Sequence, residues 1–364
     1  MIYGSSIHHN KRHYIDWWLM TFILLLTSYG LIVLFSAGGW ILVKKQLVRL
    51  ALGLVVMLLL AQLKPEKLAG ITPWLYVATI LLLLAVFFFG YQSKGATRWL
   101  RIGIRFQPSE LAKLIVPLMI AWFYRYRVLP PDLKSIGGSL LILLIPVFLI
   151  FKQPDLGTSI LVAVSGLSVL FLAGLSWKYI AGGFAALASV APVLWMFFMK
   201  DYQKQRVLTF INPSQDSLGS GWNIIQSKIA IGSGGLFGKG WQNGSQTQLD
   251  FLPEHSTDFI LSVLSEEFGL VGVIVLLLLY LAIILRGLFI ASQARDTFNR
   301  LIAGALTLTF FVYLFINAGM ISGLLPVVGV PLPLVSYGGT SIITLMAGFG
   351  MIMSVYNHRK LLKS

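Results

Sequence analysis

The sequence predicts an all-α polytopic membrane protein of about ten transmembrane helices, with one large extracytoplasmic loop between spans 7 and 8. Three observations predict it. The chain of 364 residues is 57% hydrophobic and only 11% charged, against about 25% charged in ordinary soluble domains. Its apolar runs are close to the roughly 20 residues that cross a bilayer core of about 30 Å. The runs are continuous rather than alternating, and backbone without water must close its own hydrogen bonds, so helices win over barrel strands.

The expected spans are 17–37, 46–63, 72–90, 110–124, 137–151, 157–175, 178–198, 259–285, 300–323 and 335–356. The first follows a polar, basic stretch from His8 to Tyr14, and its apolar run exceeds the h-region of a cleaved signal. It reads as a retained span. An even count puts both termini on one side, and both are basic: Lys11 and Arg12, then Arg359, Lys360 and Lys363. Setting aside the long loop 199–258, basic residues are in excess on that side, which makes it cytoplasmic. Inner connections are short: Lys64-Pro65-Glu66-Lys67 and Pro130-Pro131-Asp132 read as turns. The bulk lies outside, in 91–109, 152–156, 324–334 and 199–258.

The chain lacks cysteine, which removes disulfide and thiolate chemistry. Its net charge is +15, and much of the basic excess falls outside: Arg98, Arg101, Arg105, Lys113, Lys152, Lys204, Arg206 and Lys239. Contact with anionic headgroups of membrane lipids explains such residues; an anionic ligand on the outer face explains them equally. Nucleic acid is not an expected partner. Within the long loop, Trp222, Ile225 and Ile229 have helical spacing, as in a helix lying in the interface or packed in the loop.

Charged residues at the edge of apolar runs give the candidate sites. In FLPEHSTDFILSVLSEEFG (251–269), a helix beginning near Asp258 would align Ser262, Ser265, Gly269 and Gly272 beneath it as a small polar stripe. Asp258 is then either a functional carboxylate or a residue favoured by the helix dipole, with Thr257 as cap. Glu266 and Glu267 suit structural pairing. In QPSELAKL (107–114), Ser109 can cap the helix, and Glu110 and Lys113 can pair at i, i+3. Asp155, in KQPDLGT, reads as a helix cap or as part of a shared polar site. GSGGLFGKG (232–240) could cradle phosphate through backbone amides or form a flexible turn, and it does not match the phosphate-binding loop pattern. Pro326, Pro331 and Pro333 keep 323–339 from forming regular helix.

These stretches together resemble the SEDS family (shape, elongation, division and sporulation). The motifs are GATRWLRIG at 95–103, FQPSELAKL at 106–114, QPDLGTS at 153–159, GSGGLFGKG, FLPEHSTDF and PLPLVSYGG at 331–339, in the family's order. They are more similar to the elongation branch than to the division branch. The resemblance implies a single-domain peptidoglycan glycosyltransferase that polymerises lipid II at the outer face of the cytoplasmic membrane. It implies a class B penicillin-binding protein as transpeptidase partner, beside other membrane proteins of the elongation machinery. Carried over, the essential aspartate falls on Asp258. The intramembrane pair falls on Glu110 and Lys113, the third carboxylate on Asp155, and substrate-binding residues on Arg206, Lys239, Arg98 and Ser336. A divalent cation such as Mg or Mn is a possible cofactor. The sequence departs at one position: the family commonly has His directly before Thr-Asp, and here Ser256 stands there with His255 one place earlier. A lipid II flippase and a non-catalytic scaffold of the transpeptidase are the alternatives.

Overall fold

The computed structural model describes residues 15–358 except 94–95, 103, 200, 214–219 and 250. The basic ends Lys11, Arg12, Arg359, Lys360 and Lys363 lie outside the described residues.

Helices dominate: α1 Trp17–Gln62, α2 Pro65–Phe89, α3 Pro108–Phe123, α4 Leu133–Lys152, α5 Leu156–Leu172, α6 Trp177–Val193 with a π turn Leu194–Phe198, α7 Asp201–Ile211, α8 Ser220–Ser233, α9 Ser245–Gln248, α10 Ile260–Ser292, α11 Thr297–Ile321 and α12 Thr340–Asn357. Among the described residues, seven are long and apolar enough to cross a membrane, and the chain is a multi-pass membrane protein. The ten expected spans map onto these helices unevenly. Spans 17–37 and 46–63 join in α1, whose 46 residues are broken at Gly39 (φ 65, ψ −171). Helices α3 and α5 have only 16 and 17 residues.

One element departs from an all-helical reading. Tyr91–Ser93, Ala96–Ile102 and Ile104–Phe106 form a small antiparallel sheet in the order β1-β2-β3. These short segments after α2 pair locally, Ser93 with Ala96 and Ile102 with Ile104. Such brief strands carry too little alternation to stand out beside the apolar runs.

Helix α10 is also broken, at Gly269 (φ 64, ψ −161). Backbone with positive φ is cheap only for glycine, which is why glycine stands at both breaks. They lie together. Tyr29 Oη donates to Gly272 O at 3.2 Å, and Ser36 Oγ donates to Glu267 Oε1.

The second half of α1 runs alongside α12. Gln46 Nε2 donates to Ser336 O at one end, and Asn357 Nδ2 donates to Ala61 O at the other. Tyr280, Phe310 and Phe349 pack in the core, tilted in the first pair and edge-on in the second, with centroids 5.4 and 5.1 Å apart. At the end far from the breaks, Asp16 Oδ1 accepts from Leu19 N at 2.9 Å. Arg286 forks onto Asp16 Oδ2 at 3.0 and 2.7 Å, and its guanidinium lies 5.4 Å from the Tyr356 ring. The beginning and end of the described chain therefore meet at one end of the bundle.

The proline segment 322–339 is irregular and enters the bundle, as Val330, Leu332, Leu334 and Val335 are all buried. Gly30 makes room: a Cβ there would stand 2.8 Å from Val335 Cα. Irregular backbone at membrane depth is tolerated when protein surrounds it and its polar groups are paired. Tyr280 Oη supplies one such bond, donating to Pro333 O at 2.6 Å.

Candidate active site

Asp258 does not begin the helix. It lies in the turn before α10, whose N-cap is Phe259, without a side-chain capping bond. Thr257 therefore does not cap; its hydroxyl donates to Glu254 Oε2 at 2.8 Å. The polar stripe holds for Ser262 and Ser265, which are buried, and ends at Gly269, where the break changes the helical phase.

The turn carrying Asp258 is fastened by three elements. From α11, Asn317 Nδ2 donates to Asp258 O at 2.8 Å and Val330 O at 2.7 Å. From the proline segment, Tyr337 N donates to Ser256 O at 2.9 Å, and Ser336 Oγ donates to Thr257 O at 2.5 Å while accepting from Leu332 N. From α1, the Ala37 carbonyl lies 2.8 Å from His255 Nε2. Asn317 carried no signal in the sequence, being one amide inside an apolar span. The Asp258 side chain itself is half-buried, and a Cβ on Gly329 would stand 3.4 Å from its Oδ2.

A second polar group gathers at the start of α5. Asp155 caps that helix, accepting from Thr158 N at 3.3 Å. Its Oδ2 accepts from Gln107 Nε2 at 2.9 Å and lies 3.5 Å from Arg98 Nη1. Gln107, not Ser109, occupies the N-cap of α3, because Pro108 already begins the helix.

Just below, Lys113 Nζ meets Glu110 Oε1 at 2.7 Å, with both side chains more than nine-tenths buried. Thr344 Oγ1 donates to Glu110 Oε2 at 3.3 Å, and the Tyr313 ring lies 4.9 Å from the Lys113 ammonium.

The proline segment joins these groups. Gly157 lies against it, since a Cβ there would meet Val328 O at 2.5 Å. Val330 packs with Leu161 and Tyr313, and Gly329 faces Asp258. Asp258, Asp155 and the Glu110–Lys113 pair thus surround one re-entrant loop.

Lys239 sits elsewhere. Its ammonium meets Glu266 Oε1 at 2.7 Å, and Glu266 is fully buried. The same oxygen accepts from Ser245 Oγ at 3.0 Å. The glycine-rich stretch does not offer its amides as an anion cradle. Lys239 N and Gly240 N donate to Glu266 O and Glu267 O at 2.9 and 3.0 Å, and Gly238 N donates to Gly234 O at 2.8 Å. In return Leu270 N and Val271 N donate to Gly235 O and Leu236 O. The stretch serves as the partner strand for the α10 break. Arg206 lies half-buried on α7. Among the described residues no three His, Asp or Glu side chains gather as a metal site.

A family profile described as cell cycle protein, of FtsW, RodA and SpoVE, matches residues 16–361. The chain is 54% identical over 356 residues to peptidoglycan glycosyltransferase MrdB of Escherichia coli (strain K12), covering 97% of this chain and 96% of that one. It is 32% identical over 425 residues to peptidoglycan glycosyltransferase RodA of Treponema pallidum (strain Nichols), covering 95% and 98%. Among solved structures, the rod shape determining protein RodA of Thermus thermophilus superposes with a TM-score of 0.73 at 31% identity, covering 95% and 97%. A chain from a peptidoglycan synthase complex, described as coordinating polymerization and crosslinking, superposes at 0.85 with 33% identity, covering 95% and 99%. By sequence along nearly its whole length and by fold, this chain belongs to the FtsW/RodA/SpoVE family of cell cycle proteins.

Proposed function

We infer that this protein is a peptidoglycan glycosyltransferase that polymerises lipid II during cell-wall elongation, with Asp258 as its general base. The observation that carries the base assignment is the contrast within the Asp258 residue. Asn317 holds its carbonyl, while the residue is half-buried rather than sealed in the core.

In the reaction, an acceptor sugar hydroxyl attacks the anomeric carbon of a lipid-linked donor. Asp258 takes the hydroxyl proton, since a carboxylate is ionised at neutral pH. A new glycosidic C–O bond forms, the bond to the diphosphate oxygen breaks, and undecaprenyl diphosphate leaves with the electron pair. Arg206 would stabilise charge growing on that leaving group. Lys239 fits a different part, because its charge is matched by Glu266: it holds the loop against the α10 break. Arg98 and Asp155 line the approach from the sheet side. Glu110 and Lys113 hold the floor beneath. Ser336 acts by fixing the turn.

The likeness to a chain from a synthase complex that joins polymerization to crosslinking supports a class B penicillin-binding protein as partner. The even count of expected spans and the basic ends support a place in the cytoplasmic membrane with both ends inside and 199–258 outside. An Asn243→Cys variant of this cysteine-free chain should react with impermeant thiol reagents in intact spheroplasts. Labelling of Ser364→Cys in its place would reverse the orientation. Purified protein with its transpeptidase should convert lipid II to glycan polymer. Transport without polymer would favour the flippase, and neither activity would favour the scaffold.

A further inference from the structure

The turn before α10 contains a histidine whose two ring nitrogens both face main-chain carbonyls. His255 Nδ1 lies 2.6 Å from Leu252 O, and Nε2 lies 2.8 Å from Ala37 O. A carbonyl oxygen accepts and never donates. A neutral imidazole has one N–H, so it would make one hydrogen bond here and turn a lone pair against the other oxygen; only the imidazolium donates to both.

The far acceptor adds a second reason. Ala37 closes the first run of α1, two residues before the break at Gly39. Carbonyls at the end of a helical run lack following amides, and the helix dipole concentrates negative charge there. A cation is the favoured cap at such an end.

The two arms join different parts of the molecule. Leu252 belongs to the turn that carries Asp258, while Ala37 belongs to α1. Several charged groups lie on the elements packed around the turn. Glu254 accepts from Thr257. Glu267 Oε1 is reached by Ser36, the neighbour of Ala37, while its buried Oε2 makes no hydrogen bond among the described residues. Glu266 holds Lys239. Arg49 lies 4.3 Å from the ring of Tyr337, whose amide holds Ser256.

We propose that His255 is a positioning residue, an imidazolium clamp that fixes the Asp258 turn to the end of the first α1 run. The proposal rests on the reading of Asp258 as the base. Without the Nε2 contact to Ala37, the turn would be held only from the α11 and proline-segment sides. The carboxylate would lose its alignment with the acceptor hydroxyl without losing substrate binding.

The test uses the purified complex with its transpeptidase partner and lipid II, across a pH series. Wild type, His255→Gln, His255→Arg and Asp258→Asn are compared. His255→Gln should lose about tenfold in kcat with little change in KM, since misplacement costs rate rather than binding. His255→Arg, permanently charged and two-armed, should recover part of that rate. A His255→Gln enzyme with wild-type kcat and pH profile would overturn the clamp. Should that variant not accumulate, nitrogen NMR of labelled wild-type protein decides. Two protonated ring nitrogens at His255 near neutral pH support the clamp, and one bare nitrogen overturns it. Near-normal polymer from Asp258→Asn sinks the base reading itself, whereas an inactive Asp258→Asn beside a fully active His255→Gln sinks only the clamp.

Discussion

Asp258 and Glu266 stand barely two turns apart in one stretch of sequence, and the fold uses them in opposite ways. Glu266 is fully buried. Its oxygens are committed to Lys239, Ser245 and the Gln246 amide. Its carbonyl takes the Lys239 amide. Everything about it holds the glycine-rich stretch against the broken helix. Asp258 is half-buried, and Asn317 holds its main-chain carbonyl. The proposed reading gives Glu266 an architectural part and Asp258 the chemical one.

Changes on the architectural side should lower stability while leaving Asp258 chemistry intact in whatever protein folds. The largest effect is expected at Gly269→Ala. A Cβ there would stand 2.4 Å from Gly238 N, at a φ of +64°, so the backbone pairing with the glycine-rich stretch must open. Membrane abundance should fall to a small fraction of wild type on a quantitative blot. Normal abundance would mean that the break is not needed.

Next comes the pair in the floor. Lys113→Ala strands Glu110 in a buried setting, where breaking an ion pair costs about 3–5 kcal/mol. The exchange Glu110→Lys with Lys113→Glu should restore part of the protein level. Single variants as abundant and active as wild type would remove both roles from the pair.

Glu266→Gln should cost less, because the Lys239 side chain keeps 31% exposure and can turn to water. Thermal unfolding in detergent should still show a clear drop in Tm, with Asp258→Asn unchanged beside it. Equal drops for the two would erase the distinction between them.

The smallest effect lies at Asp132, the exposed cap of α4. Hydrogen bonds from Ser135 hold its carboxyl below the usual range. A folded-state value below the unfolded one means stability that is present at neutral pH and lost as pH falls through the lowered value. Asp132→Ala should therefore be slightly less stable than wild type at neutral pH, and the two melting curves should converge in acid. A gap that persists in acid would assign the loss to something other than the carboxylate.

Much of this was legible from residues. The apolar runs placed the helices, and i, i+3 spacing paired Glu110 with Lys113. Proline density foretold that 323–339 would not be helix. Charge at the edge of apolar runs drew attention to Asp258 and Asp155, and the resemblance attached roles to them. Other features were not legible, for physical reasons. Gly39 and Gly269 look like ordinary glycines in apolar runs, because a break depends on a tertiary partner for the freed backbone. The glycine-rich stretch resembled an anion cradle, since sequence cannot say whether amides are already taken. Lys239 looked like a free outer cation because its partner Glu266 is remote in sequence. Asn317 and Ser336 fix the turn by bonding to carbonyls, which every residue carries and no motif records.

The central claim is that the Asp258 carboxylate, and not its neighbours, takes the proton. The direct measurement is lipid II polymerisation by purified Asp258→Asn complex, read on a glycan gel with lipid II binding measured in parallel. Asparagine keeps the shape and the main-chain bonds to Asn317, Ser336 and Tyr337, so folding, partner binding and lipid II binding should match wild type. Polymerisation should fall by about 10²–10⁴, the usual cost of losing a general base. Polymer at close to the wild-type rate, from a variant that binds lipid II normally, would contradict the account.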